Sequence, residues 1–200
     1  IKSFDYGAHM FAFKKKYFFI IENIKDINLN NIKLTNKFII IYRNKDKIKN
    51  IKKLMKFRRD CKTKRIDFYV SNNYKLMVSL GADGLYISAH NTNLSLSRFK
   101  NSNYKIIGSV HNIKELNLKA IQGCSYFILS RLFNTTYKNK KGYMGIVKFN
   151  LFRLSRKEDL VPLGGIKYSN INKLKLIKSN AFVLLSEIKK KPVKIINRLF

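Results

Sequence analysis

Gly164 and Gly165 close an apolar run that begins at Val161, and Ser186 closes a second apolar run over 181–185. Bare backbone at the end of one strand and a hydroxyl at the end of the next can cradle phosphate, because exposed N–H groups and a short hydroxyl both donate to its oxygens. Cations, amides and further hydroxyls follow or end the other apolar runs. Arg43, Asn44 and Lys45 come after 38–42, Ser71, Asn72 and Asn73 after 66–70, and Ser88, His90 and Asn91 after 85–87. Ser109 and His111 end 105–110, and Thr135, Thr136, Tyr137 and Lys138 lie beyond 126–129. Carboxylates are absent from this set, and Asp67 and Glu187 stand singly rather than as an acid–base pair. Such groups would hold phosphate or pyrophosphate by charge-assisted hydrogen bonds.

The elements that must position these residues are read from hydrophobic pattern. Eight short apolar or β-branched runs recur, at 17–21, 38–42, 66–70, 85–87, 105–110, 126–129, 160–163 and 181–185. Between most of them lie segments with helical spacing, such as Ile48, Ile51, Leu54 and Met55, or Ile113, Leu116, Leu118 and Ile121. Strands apolar throughout and separated by amphipathic helices imply a parallel sheet covered on its outer side. Eight such units in 200 residues make a single α/β domain, a (β/α)8 TIM barrel of minimal size, with its chemistry at the strand C-termini. An open doubly wound sheet is the alternative, but no G-x-G-x-x-G follows the first strand. Residues 1–16 form an N-terminal extension and 17–200 the barrel, and the helix between the first two strands falls on a short Asn-rich stretch.

The 46% hydrophobic content supports a core. A formal charge of +31 would ordinarily place nucleic acid first among partners. Here the basic residues are spread along the whole chain and accompany 22 Asn and only 6 Ala, a pattern that AT-rich codons supply, and no nucleic-acid motif is present. Nucleic acid is therefore not expected as a partner. No run approaches the roughly 20 apolar residues of a membrane span. Lys14, Lys15 and Lys16 before 17–21 resemble a signal peptide only loosely. Two distant thiols, Cys61 and Cys124, without metal spacing or export signal point to a reducing cytoplasm. A homo-oligomer is compatible with this pattern.

The strand ends, taken in order, resemble the family of thiamine phosphate synthase and its relative the thiazole tautomerase, from about residue 38 to residue 188. The resemblance is carried by Ala82-Asp83-Gly84-Leu85-Tyr86-Ile87, by Gly108-Ser109-Val110-His111 with Glu115, and by Phe133-Asn134-Thr135-Thr136-Tyr137-Lys138. It continues through Gly164-Gly165-Ile166 and Leu185-Ser186-Glu187-Ile188. It implies a transferase that joins a hydroxymethylpyrimidine diphosphate to a thiazole phosphate, with loss of pyrophosphate, in thiamine biosynthesis. Arg43 and Lys45 match the family's basic pair and Lys138 its loop lysine, all three neutralising the leaving group, which Ser109 would contact. Thr135, Gly164, Gly165 and Ser186 would hold the thiazole phosphate side.

The sequence departs from this pattern where the family binds Mg2+. The family's Asn-Asp after strand three reads Ser71-Asn72, and its aspartate after strand four reads Asn91. Neutral amides at Asn72 and Asn91 imply a weakened Mg2+ site. Ile41 and Tyr137 replace a family glutamine and threonine near the pyrimidine pocket. In the tautomerase, a histidine in a Ser-x-His string moves a proton on thiazole phosphate without metal, and His111 occupies that place. An isomerase of that type and a non-catalytic phosphate-ligand or nucleic-acid binder remain the alternatives. The structural readings also stand: Arg43 and Lys45 as solvated charges, His111 as a cap on the helix beginning near Asn112, His90 packed or facing water, and Asp83 bracketing its loop. His9 lies outside the barrel pattern.

Overall fold

Runs such as KYFFII and FIIIY have no polar face to offer water, so they are stable only in a sheet covered on both sides. In the computed structural model, which describes residues 16–32, 36–44, 50–135 and 142–186, they begin a closed parallel barrel. Its strands are β1 (Lys16–Ile21), β2 (Phe38–Tyr42), β3 (Asp67–Ser71), β4 (Gly84–Ile87), β5 (Lys105–Val110), β6 (Tyr126–Ser130), β7 (Asp159–Leu163) and β8 (Ala181–Leu184). They pair in chain order, and β8 returns to β1 with Phe18 beside Val183. This is the expected (β/α)8 barrel, with each strand within one residue of its sequence-based bounds. Of the proposed extension, residues 1–15 lie outside the described residues, and Lys16 already opens β1.

Alternation along each strand separates two cores. Phe18, Ile20, Ile41, Tyr69, Tyr86 and Ile128 fill the barrel interior. Phe19, Ile40, Phe68, Leu85 and Phe127 point outward against Leu54, Phe57, Leu116 and Phe149 of the helices. Each fully buried side chain of this kind contributes about 1.5–3 kcal/mol relative to exposure.

The helices are α1 (Ile51–Thr63), α2 (Tyr74–Ser79), α3 (Ile113–Ile121) and α4 (Gly145–Leu154). Asparagines start three of them, with Asn50, Asn73 and Asn112 side chains accepting from the N–H groups of Lys53, Leu76 and Glu115. Part of the asparagine excess therefore serves as caps on the rim. The β4–β5 and β7–β8 connections are 3-10 turns, Leu94–Phe99 and Tyr168–Leu176, rather than α-helices. Their Ser- and Asn-rich sequences compete with an extended helix by bonding to their own backbone. The Asn-rich β1–β2 segment likewise holds two 3-10 turns, Ile24–Asp26 and Leu29–Asn31, in place of the expected helix.

Asp83 has the bracketing role read from the sequence. One carboxylate oxygen accepts from Arg58 at 2.9 Å and the other from the Phe68 N–H at 2.7 Å, tying α1, β3 and the start of β4 together. Gly108 brings α3 down onto β5. A Cβ there would lie 2.8 Å from Cys124 Sγ and 2.9 Å from Lys119 Cβ, so only glycine permits that approach. Among the described residues no helix is long and apolar enough to cross a membrane.

Candidate active site at the barrel mouth

The inward alternation continues past the strand ends, so residues one or two beyond each strand face the mouth. Two halves result. On the β5–β8 side, His111, Thr135, Gly164, Gly165 and Ser186, all expected site residues, line one cavity of about 250 Å³ with Ser130 and Arg131. Gly164 and Gly165 have φ of +103° and +67°, a turn that L side chains rarely adopt. A Cβ on Gly165 would sit 2.5 Å from the carbonyl oxygens of Phe133 and Asn134, so the β6 and β7 loops pack backbone to backbone. Phe133 N–H donates to Gly164 O, and Asn170 donates to Gly165 O at 2.8 Å, which fixes the glycine turn at the cavity wall.

His111 lies at the edge of this cavity. It does not cap α3, since Asn112 does that; instead its N–H donates to Glu115 Oε2 at 2.7 Å and its Nδ1 lies 2.9 Å from the same oxygen. Glu115 therefore orients the ring, leaving Nε2 to take or give a proton. The His90 ring stacks nearby, 6.3 Å between centroids.

On the β1–β4 side, Arg43 leaves β2 and meets Glu22 at the end of β1, with Nη2 3.1 Å from Oε1. Its Nε is buried without an acceptor among the described residues. Ser109 is buried below, beside Tyr86, whose hydroxyl is pushed up by burial and pulled partly back by Ser109 and by the Arg43 charge. Lys45 and Lys138 lie outside the described residues.

Asn72, at φ +57°, and Asn91 form a closed amide pair beside Ser88. Asn72 Oδ1 accepts from Ser88 N–H at 3.0 Å and from Asn91 Nδ2 at 3.1 Å, while its own Nδ2 donates to Ser88 Oγ at 3.0 Å. Asn91 Oδ1 accepts from Asn93 N–H at 3.0 Å. Both amide oxygens are thus engaged, and no group of three His, Cys, Asp or Glu side chains fit to hold a metal occurs among the described residues. A hard cation, which favours charged oxygens, does not fit this donor set.

Sequence reasoning missed Glu22, Tyr86, Lys119 and Gln122. The first two could have been found by carrying the inward alternation of β1 and β4. Lys119 and Gln122, both fully buried, carried no signal: a lysine on α3 reads as solvated. Burial lowers the Lys119 pKa, opposed by Cys124 and Glu115, and the same burial pushes Cys124 up to about 12.

Comparison with known proteins bears on the family and the fold. A family model described as thiamine monophosphate synthase matches residues 24–188. A thiamine-phosphate synthase of Pelagibacter ubique is 29% identical over 205 residues, covering 100% of this chain and 89% of the relative. One from Prochlorococcus marinus is 28% identical over 116 residues, which span 58% of this chain but only 34% of that protein. Among solved structures, a thiamine phosphate pyrophosphorylase from Pyrococcus furiosus superposes with a TM-score of 0.69 at 16% identity, covering 94% of this chain and 98% of that one. That likeness concerns the fold.

Proposed function

The chain belongs to the thiamine monophosphate synthase family, and from that premise we propose that it joins a hydroxymethylpyrimidine diphosphate to a thiazole phosphate, releasing pyrophosphate. The supporting observation is the convergence of His111, Thr135, Gly164, Gly165 and Ser186 from four strand ends on one cavity, beside a second half-mouth built on Arg43.

In this reading the thiazole phosphate sits on the Gly164–Gly165 backbone with Thr135 and Ser186. The diphosphate lies toward Arg43 and Ser109, and Lys45 and Lys138 are assigned to it by the family resemblance. The bond between the pyrimidine methylene and the bridging oxygen breaks, and its electron pair leaves with pyrophosphate. Fixed cations and hydroxyls stabilise that growing charge without reorganising. The thiazole nitrogen then donates its lone pair to the methylene carbon, forming the C–N bond. Tyr86 positions Ser109 from below, and Glu22 fixes the direction of Arg43. With Cys61 and Cys124 both buried and unbonded, we place this reaction in a reducing compartment, the cytoplasm.

Incubating the folded protein with both substrates and following thiamine phosphate by mass spectrometry tests this reading. No product from a folded sample overturns it. A second reading has its own support in the His111–Glu115 pair at the cavity edge. A proton shuttle there would isomerise thiazole phosphate alone, and solvent-deuterium exchange into that compound, lost in His111→Ala, distinguishes it.

A further inference from the structure

We infer that this protein receives the diphosphate directly, through N–H donors and fixed cations, without a divalent cation held by its own side chains. The inference rests on the reading of the mouth as a diphosphate site and reverses the polarity that the family resemblance implies around Asn72 and Asn91.

Three observations combine. First, the amide oxygens that would face a cation are consumed: Asn72 Oδ1 fills both lone pairs with Ser88 N–H and Asn91 Nδ2, and Asn91 Oδ1 turns back to Asn93 N–H. Second, the backbone oxygens of the same loop are consumed from behind. Lys119 Nζ donates to Asn91 O at 2.6 Å and to Gln122 Oε1 at 2.9 Å, while Gln122 Nε2 donates to Asn91 O at 3.0 Å and Asn93 O at 2.9 Å. Both side chains are fully buried, and the hydrogen bonds of the ammonium go to oxygens of neutral groups, with the Glu115 charge acting on it from the same helix, so a buried cation stands beneath the loop. Third, each carboxamide spends one of its two N–H bonds inside the pair, Asn72 on Ser88 Oγ and Asn91 on Asn72 Oδ1. What remains on the two carboxamides is one N–H on each and a single lone pair on Asn91 Oδ1, so donors outnumber acceptors, which suits a phosphate oxygen better than a metal ion.

Aspartates in the same places would undo the arrangement. Carboxylates at 72 and 91 would face each other across the 3.1 Å now bridged by a hydrogen bond, and a bound cation or a shared proton would be needed to relieve their repulsion. The amide pair therefore needs neither metal nor proton to be stable, whereas its acidic counterpart would need one of them.

The test is calorimetric titration of the wild-type chain with inorganic pyrophosphate, once in EDTA and once with Mg2+, together with a Mn2+ titration followed by electron paramagnetic resonance. Pyrophosphate is expected to bind in EDTA at least as tightly as with Mg2+, and the protein alone to bind no Mn2+. The Asn72→Asp, Asn91→Asp double variant is expected to gain a Mn2+ site and to bind pyrophosphate at least tenfold more tightly with Mg2+ than without. Pyrophosphate binding by the wild type only with Mg2+, or one Mn2+ held per wild-type chain, overturns the inference and leaves the diphosphate site standing. No pyrophosphate binding in either buffer overturns the diphosphate site and the inference together.

Discussion

Arg43 and Glu22 meet where β1 and β2 end, Nη2 3.1 Å from Oε1, so the cation assigned to the leaving group is aimed by a carboxylate on the neighbouring strand. Both side chains are partly exposed, at 28% and 35%, and an ion pair of that kind contributes roughly 0–1 kcal/mol. Its use is orientation.

Arg43→Ala is therefore expected to lower turnover by about 10²–10³-fold, the usual loss when a fixed charge facing a developing anion is removed. Glu22→Gln, which keeps the guanidinium but releases its aim, should cost about fivefold at most. Steady-state pyrophosphate release measures both, and an Arg43→Ala rate equal to wild type would remove Arg43 from the site.

Gly165→Ala tests the phosphate cradle. The residue's φ of +67° costs an L side chain about 1–2 kcal/mol, and the new Cβ would stand 2.5 Å from two carbonyl oxygens. The β6 and β7 loops must part, and thiazole phosphate affinity should fall by about tenfold or more, each tenfold being about 1.4 kcal/mol. Titration with thiazole phosphate reads this directly; unchanged affinity would place the phosphate elsewhere.

Asp83→Ala addresses stability alone. It leaves the buried Arg58 guanidinium with the Gly81 carbonyl but no carboxylate, frees the Phe68 N–H, and should cost about 2–3 kcal/mol in urea unfolding, charged hydrogen bonds being worth roughly that much. Turnover per folded molecule should not change.

The thiols give a pH prediction. Burial pushes Cys61 and Cys124 from 9.0 up to about 12, so at pH 8 the native thiolate fraction is about a thousandfold below that of the unfolded chain. Their contribution to stability is full below pH 9 and is lost as pH rises toward 12, because the unfolded chain releases those protons first. A disulfide-exchange reagent should react slowly with native protein at pH 8 and quickly in urea. A native thiol titrating below pH 9 would contradict this.

The barrel was legible because its strands are apolar on both faces, which left little room for another class. The 3-10 connections at Leu94–Phe99 and Tyr168–Leu176 were not, since helical spacing is ambiguous where Ser and Asn bond locally. At the site, residues on the rim were found from strand ends, whereas the contacts that organise them were hidden. Glu22 with Arg43, Tyr86 with Ser109 and Lys119 with Asn91 join positions 21 to 28 residues apart, brought together only by closure of neighbouring βα units. Lys119 was hidden twice over, because Gly108 makes the space that buries it.

The most direct test of the central claim is the stoichiometry of products when both phosphorylated substrates are supplied to the folded protein. The account predicts pyrophosphate and thiamine phosphate formed in equal amounts, both strongly reduced in Arg43→Ala. Neither product from the wild type, or thiamine phosphate formed at the same rate by Arg43→Ala, would contradict it.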